Sequence, residues 1–367
     1  MTAWIRRWWS AGIPAVGAVA LIATWGQKLP GVLVVLVGLV LVGVVLAAVH
    51  HAEVVAHRVG EPFGSLLLAV AVTVIEVGLI ITLMVSGGGK DTSTLARDTV
   101  FAAVMITVNG IAGLAVLLGS LRFRLPRFNS EGAGAALAVV AALATLTLVL
   151  PAFTTSRPGP QFSPSQLGFA AVASLILYVA FVLTQTVGHR DFFLPVSASG
   201  KSIQPDDEED HVAPPSGRAA AISGGLLVVS LVAVVGLAKT VSPAIEAGVA
   251  AAGIPSSFVG VVIALLVLLP EGLAASRAAL RERMQTSLNL AYGSAMASIG
   301  LTIPAIAIAS IWLPGPLTLG LGSTQIVLLV LTVLVGILTV MPGRVTRLQG
   351  VLHLILLAAF VFLAINP

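Results

Sequence analysis

Leu66-Leu-Leu-Ala-Val-Ala-Val-Thr-Val-Ile-Glu76-Val-Gly-Leu-Ile-Ile81 is a lipid-like run with one carboxylate at its centre. A second stretch in the other half of the chain repeats the arrangement: Val261-Val-Ile-Ala-Leu-Leu-Val-Leu-Leu-Pro-Glu271-Gly-Leu-Ala-Ala275. A run of this kind folds as a membrane-spanning helix, which needs about 20 apolar residues. An ionised carboxylate at that depth costs about 2.5–3.5 kcal/mol even on lenient insertion scales. A matched pair of such costs points to a site for something positively charged.

Working outward, the same texture covers nearly the whole chain. Of 367 residues, 57% are hydrophobic and 9% charged, which excludes an ordinary soluble domain. The fold class is an all-α integral membrane protein. A β-barrel would show short alternating segments instead of continuous apolar ones. With no cysteine, disulfides and thiolate metal sites are excluded. The net charge of +4 is expected to lie in cytoplasmic loops and does not indicate nucleic-acid binding. Arg6 and Arg7 precede an apolar run from Ala11, as in a secretory signal. No clear small-residue cleavage site follows before Lys28, so an uncleaved first helix is the better reading.

Eleven spans are expected, at 11–26, 31–57, 64–86, 98–120, 133–153, 166–187, 219–240, 256–280, 286–312, 323–341 and 346–365. With the N-terminus in the cytoplasm and the C-terminus outside, fourteen of the 19 Lys and Arg residues fall on the cytoplasmic side. A miscount of one span would scramble that asymmetry. A polar segment at 188–218, with the acidic run Asp206-Asp-Glu-Glu-Asp210, divides the chain. Residues 1–30 hold an extra helix, and 31–187 and 219–367 hold five spans each. Five is odd, so the two halves cross the membrane in opposite senses, the inverted-repeat plan of secondary transporters. Glu53 precedes Glu76 by 23 residues and Glu246 precedes Glu271 by 25, in keeping with the repeat.

The residues then suggest chemistry. Removal from water favours the neutral carboxyl, whereas a cation favours the ionised one. At Glu76 and Glu271, cation and protons therefore compete for the same oxygens, and alternating access turns competition into exchange. Pro270 frees the Leu266 carbonyl near Glu271, and carboxylate with carbonyl oxygen suits Ca²⁺, Na⁺ or K⁺. The helices that follow each glutamate carry Thr107, Asn109, Gly110 and Gly113 in one half, and Asn289, Gly293, Ser294, Ser298 and Gly300 in the other. Asn109, Ser294 and Ser298 are candidate oxygen ligands, and the glycines allow close helix approach. Membrane packing alone explains each of these residues equally well. Pro304 is read as a simple kink, and His353 as buried or interfacial without a role.

A second cluster, His50, His51, Glu53, His57, Arg58 and Glu61, closes the second span. His50, Glu53 and His57 share one helix face and could relay protons, with Glu246 as the counterpart of Glu53. They could instead begin a metal site, although the spacing is not H-E-x-x-H. An interfacial helix end with local hydrogen bonds is at least as good an account. The acidic run at 206–210 reads as a solvated loop.

His51-Ala-Glu-Val-Val-Ala-His-Arg-Val-Gly-Glu-Pro-Phe-Gly64, Ala71-Val-Thr-Val-Ile-Glu-Val77 and Tyr292-Gly-Ser-Ala-Met-Ala-Ser-Ile-Gly-Leu-Thr-Ile-Pro304 resemble the ChaA-type cation/proton antiporters of the Ca²⁺/cation antiporter superfamily. The resemblance covers about 31–365. It implies an exchanger of the bacterial inner membrane that expels Ca²⁺, Na⁺ or K⁺ against incoming protons, with Glu76 and Glu271 as ligands and no bound cofactor. Related Ca²⁺/proton exchangers read G-N-x-x-E at each acid. This chain has Val72-Thr73-Val-Ile-Glu76 and Val267-Leu268-Leu-Pro-Glu271, so both asparagines are missing. Two other readings are an intramembrane metal-dependent hydrolase using His50, Glu53 and His57, and a passive cation channel.

Overall fold

A computed structural model describes residues 2–27, 29–60, 63–86, 92–196, 215–313 and 315–367. In chain order the helices are α1 (Thr2–Thr24), α2 (Gly31–Val59), α3 (Phe63–Ser86), α4 (Leu95–Met105), α5 (Ala112–Phe123), α6 (Ser130–Ala144) and α7 (Pro164–Leu183). After the central segment come α8 (Gly217–Ala251), α9 (Phe258–Ala279), α10 (Met284–Gly300), α11 (Thr302–Ala309), α12 (Ser323–Val340) and α13 (Arg347–Ile365). Short π-helical turns join α4 to α5 at Ile106–Ile111 and extend α6 and α7 at Thr145–Val149 and Thr184–Gly188. The acidic run at 206–210 lies outside the described residues.

Among the described residues, ten helices are long and apolar enough to cross a membrane, with a shorter apolar helix at Trp9–Thr24. The all-helical membrane class is borne out, and the span positions agree closely. The main difference is α8, which continues eleven residues past the expected end at 240. Pro243 lies inside this extension, since proline in a helix removes one hydrogen bond without ending the helix when packing supports the remainder. Pro270 likewise lies inside an unbroken α9. Pro304 behaves differently. It lacks the N–H that would bond the Gly300 carbonyl, and the span divides there into α10 and α11. The expected kink is found.

The chain forms two compact units, and neither coincides with a sequence half. The first comprises Met1–Thr92 with Val212–Val267. In it α2 packs along α8, and α1 lies against both. Small residues permit the approach: Gly17 receives Val44, Gly78 receives Val235, and Gly236 receives Leu21. The second unit comprises Ser93–His211 with Leu268–Pro367. Here α13 lies on α5, α6 on α10, and α7 on α11. The loops are tied by main-chain bonds, Val345 N–H to the Pro126 carbonyl and Phe128 N–H to the Gly343 carbonyl. A capping box of Ser163 and Gln166 starts α7.

Candidate functional site

In the first unit α3 carries Glu76, which is 2% exposed. Ile75, Leu79 and Ile80 on the same helix are buried as well. One turn earlier, on the same face, is Thr73. Its Oγ1 is buried and forms no hydrogen bond. Thr302 Oγ1 is likewise buried without a hydrogen bond, but most helical threonines here are bonded. Thr24, Thr99, Thr107, Thr147, Thr184, Thr186 and Thr240 all donate their hydroxyls to the carbonyl four residues back. Thr73 does not, which keeps its oxygen available one turn from Glu76. It holds the position of the first missing asparagine. The lost amide oxygen is thus replaced by a hydroxyl oxygen on the same turn.

The second unit contains Glu271, half-buried and directly after Pro270 on α9. Next to it Gly272 faces Ile111 at ordinary contact distance. Ile111 closes the π-helical turn Ile106–Ile111, every residue of which is buried. Such single turns often accompany functional sites, because they rotate the following side chains relative to a regular helix.

Asn109 sits in this turn, 0% exposed. Its amide nitrogen donates to Thr332 Oγ1 at 2.8 Å, and its Oδ1 lies 2.9 Å from His353 Nδ1. The other ring nitrogen, Nε2, lies 3.0 Å from Thr339 Oγ1. Neutral imidazole satisfies both contacts if Nδ1–H donates to Asn109 and Nε2 accepts from Thr339. The expectation that His353 has no role is therefore corrected, since it joins α12, α13 and the π turn in one buried network. Asn109, expected as an oxygen ligand, has that oxygen engaged by His353. A double-mutant cycle of Asn109→Leu and His353→Leu is expected to give a coupling energy of about 0.5–1.7 kcal/mol in thermal or denaturant unfolding, the range for interhelical hydrogen bonds in membranes. Additive effects would mean that the contact contributes nothing.

Among the other expected residues, Ser298 is buried and Ser294 half-buried on α10. Gly113 and Gly300 do allow close approach, to His353 and Tyr178, whereas Gly293 faces open space. Asn289 is structural, receiving Gln285 Nε2 and donating to the Phe193 carbonyl. The sequence reading passed over Asp98, a buried carboxylate at the start of α4. Arg97 pairs with it at 2.7 Å and Thr94 donates to it at 2.8 Å, so its charge is met locally.

The histidine cluster is more open. His50 is half-buried and lies 5.3 Å from the Trp9 ring, while Glu53 and His57 are exposed. His51 is the buried member, with Nε2 2.7 Å from the Ser10 carbonyl. Glu246 accepts from Ser242 at 3.1 Å. Glu61 lies outside the described residues. Among the described residues no three His, Asp or Glu side chains gather as a metal set, which leaves the hydrolase reading without ligands.

Ten apolar spans among the described residues, with a buried carboxylate in one and another beside a proline, mark a polytopic membrane protein. The chain belongs to the sodium/calcium exchanger protein family, whose pattern matches residues 29–187 and 222–366. The resemblance to the Ca²⁺/cation antiporter superfamily is thereby borne out. The y4hA protein of Sinorhizobium fredii is 45% identical over 366 residues, 98% of this chain and 96% of that one. The sodium-potassium/proton antiporter ChaA of Escherichia coli is 33% identical over 348 residues, covering 94% and 92%. The solved structure of YfkE, a Ca²⁺/H⁺ antiporter, shares the fold with a TM-score of 0.70 at 17% identity, covering 98% of this chain and 99% of that one.

Proposed function

We propose that this protein exchanges cytoplasmic Ca²⁺, Na⁺ or K⁺ for external protons by alternating access, with Glu76 and Glu271 carrying cation and proton in turn. The observation that carries the reading is Glu76, a carboxylate 2% exposed in an apolar helix, with an equivalent in the other half of the sequence. Each carboxyl holds a proton when no cation is present and yields it when a cation arrives. Two such groups releasing two protons for one divalent ion leave the local charge unchanged.

The Thr73 hydroxyl supplies a neutral oxygen beside Glu76, where Leu268 supplies none beside Glu271. The first half then contributes more of the ligation. Ser298 and Ser294 stand as further oxygen donors on α10, and Glu53 with His50 and His57, together with Glu246, as proton relays. The repeats run over 31–187 and 219–367, joined by a cytoplasmic loop at 188–218. The N-terminus is cytoplasmic and the C-terminus external in the inner membrane, as the distribution of Lys and Arg supports.

Reconstituted vesicles with an imposed pH gradient test the proposal. Adding Ca²⁺, Na⁺ or K⁺ in separate runs should collapse the gradient for at least one ion, with matching uptake of that ion. Cation flux that moves no protons would instead mark a passive channel.

A further inference from the structure

At one end of the second unit, Arg122 and Phe123 from the close of α5 meet Leu280, Arg281 and Glu282 from the turn after α9, with Arg277 on its last helical turn. Together they line a cavity of about 530 Å³. Three guanidinium groups and one carboxylate give it a charge of +2. None of the three arginines pairs with a carboxylate among the described residues. Positive charge at a helix C-terminus favours the macrodipole, which accounts for one arginine per helix end. It does not account for three converging unpaired on one cavity.

The apolar surroundings identify what is missing. On α9, Leu269 and Leu273 are 39% and 41% exposed, and with Arg277 they form a single row at four-residue spacing. On α5, Leu114 and Leu121 are exposed seven residues apart, and Arg122 follows immediately. On α9 the exposed leucine row runs directly into a cavity-lining arginine, and on α5 the exposed leucines end beside one. Faces of this kind suit acyl chains, and arginines at helix ends suit phospholipid headgroups. Arg122 itself lies over the Phe123 ring at 5.5 Å, holding its planar fork at the cavity wall.

We infer that this cavity binds the phosphate of an anionic phospholipid headgroup, with the acyl chains along the leucine rows of α5 and α9. Guanidinium groups bind phosphate oxygens in pairs, and basic pockets at helix ends in membranes take lipid headgroups in this way. Free phosphate shares the chemistry but would draw nothing from the leucine rows.

Native mass spectrometry of the full chain in detergent tests this, using phosphatidylglycerol, phosphatidylcholine and inorganic phosphate as separate probes. Wild type should retain phosphatidylglycerol in preference to phosphatidylcholine. Arg122→Gln, Arg277→Gln and Arg281→Gln should each weaken retention about five-fold, the worth of one basic residue near a membrane surface. Arg157→Gln removes an exposed charge from the loop between α6 and α7, outside the cavity lining, and should leave retention unchanged. If charge loss impairs insertion, Arg122→Lys/Arg277→Lys/Arg281→Lys keeps the charge and should still weaken retention, because the planar fork is lost. Arginine-dependent binding of inorganic phosphate without preference for phosphatidylglycerol would support the oxyanion site and assign it to a free ligand. Equal retention of both lipids together with no arginine-dependent phosphate binding would overturn the proposal.

Discussion

Glu76→Gln and Glu271→Gln are each expected to lower proton-driven cation flux at least about a hundred-fold, as the loss of one ionised ligand worth about 3 kcal/mol requires. Glutamine keeps the size and hydrogen-bonding reach of glutamate but can neither release a proton nor carry charge. The substitution thus separates ionisation from packing. A neutral amide replaces the neutral, protonated carboxyl, so thermal stability without cation should be little changed. Retained flux in both variants would refute the proposed roles, whatever the ion. Thr73→Val makes a graded comparison. Its hydroxyl has no hydrogen bond to lose, so removing it should leave stability intact. The half-saturation constant for the cation should rise about five- to tenfold, as for one neutral contact of about 1 kcal/mol. Thr73→Ser should restore it.

These expectations depend on features of unequal legibility. The spans could be read because each needs a long apolar run, and a run of that length has no stable alternative to a helix in lipid. Glu76 and Glu271 were legible for the same reason, since a charge stands out against leucine and valine. What stayed hidden depends on contacts between distant parts of the chain. Asn109 and His353 are 244 residues apart, and nothing local to either marks the other as its partner. The π-helical turn Ile106–Ile111 is built of β-branched residues, Asn and Gly, which weaken an α-helix without specifying the wider turn. The silence of the Thr73 hydroxyl shows only against seven threonines that bond to their own helix. The far end of α8, beyond residue 240, is set by packing against α1 and α2, which no local run of sequence displays.

Gly350→Leu is expected to displace α13 and cause a large loss of stability in the second unit. A Cβ at Gly350 would lie 2.7 Å from the Leu117 backbone nitrogen and 2.8 Å from its Cα. Backbone atoms in the middle of a helix cannot give way as a side chain can, so the helices must separate. The fit is reciprocal, for a Cβ at Gly113 of α5 would lie 2.7 Å from His353 Cβ. Glycine on each helix thus admits the other, the small-residue packing that holds membrane helices together. Gly350→Ala should cost about 1–3 kcal/mol by overpacking, and leucine more. Gly134→Ala, at a helical glycine with nothing within 4 Å, serves as the control and should be neutral or slightly stabilising. An unfolding midpoint for Gly350→Leu equal to wild type would show that α13 can shift without penalty. The approach at Gly350 and Gly113 also brings His353 within reach of Asn109. Separating α5 from α13 should already break that bond, so adding His353→Leu to Gly350→Leu should cost much less than His353→Leu alone.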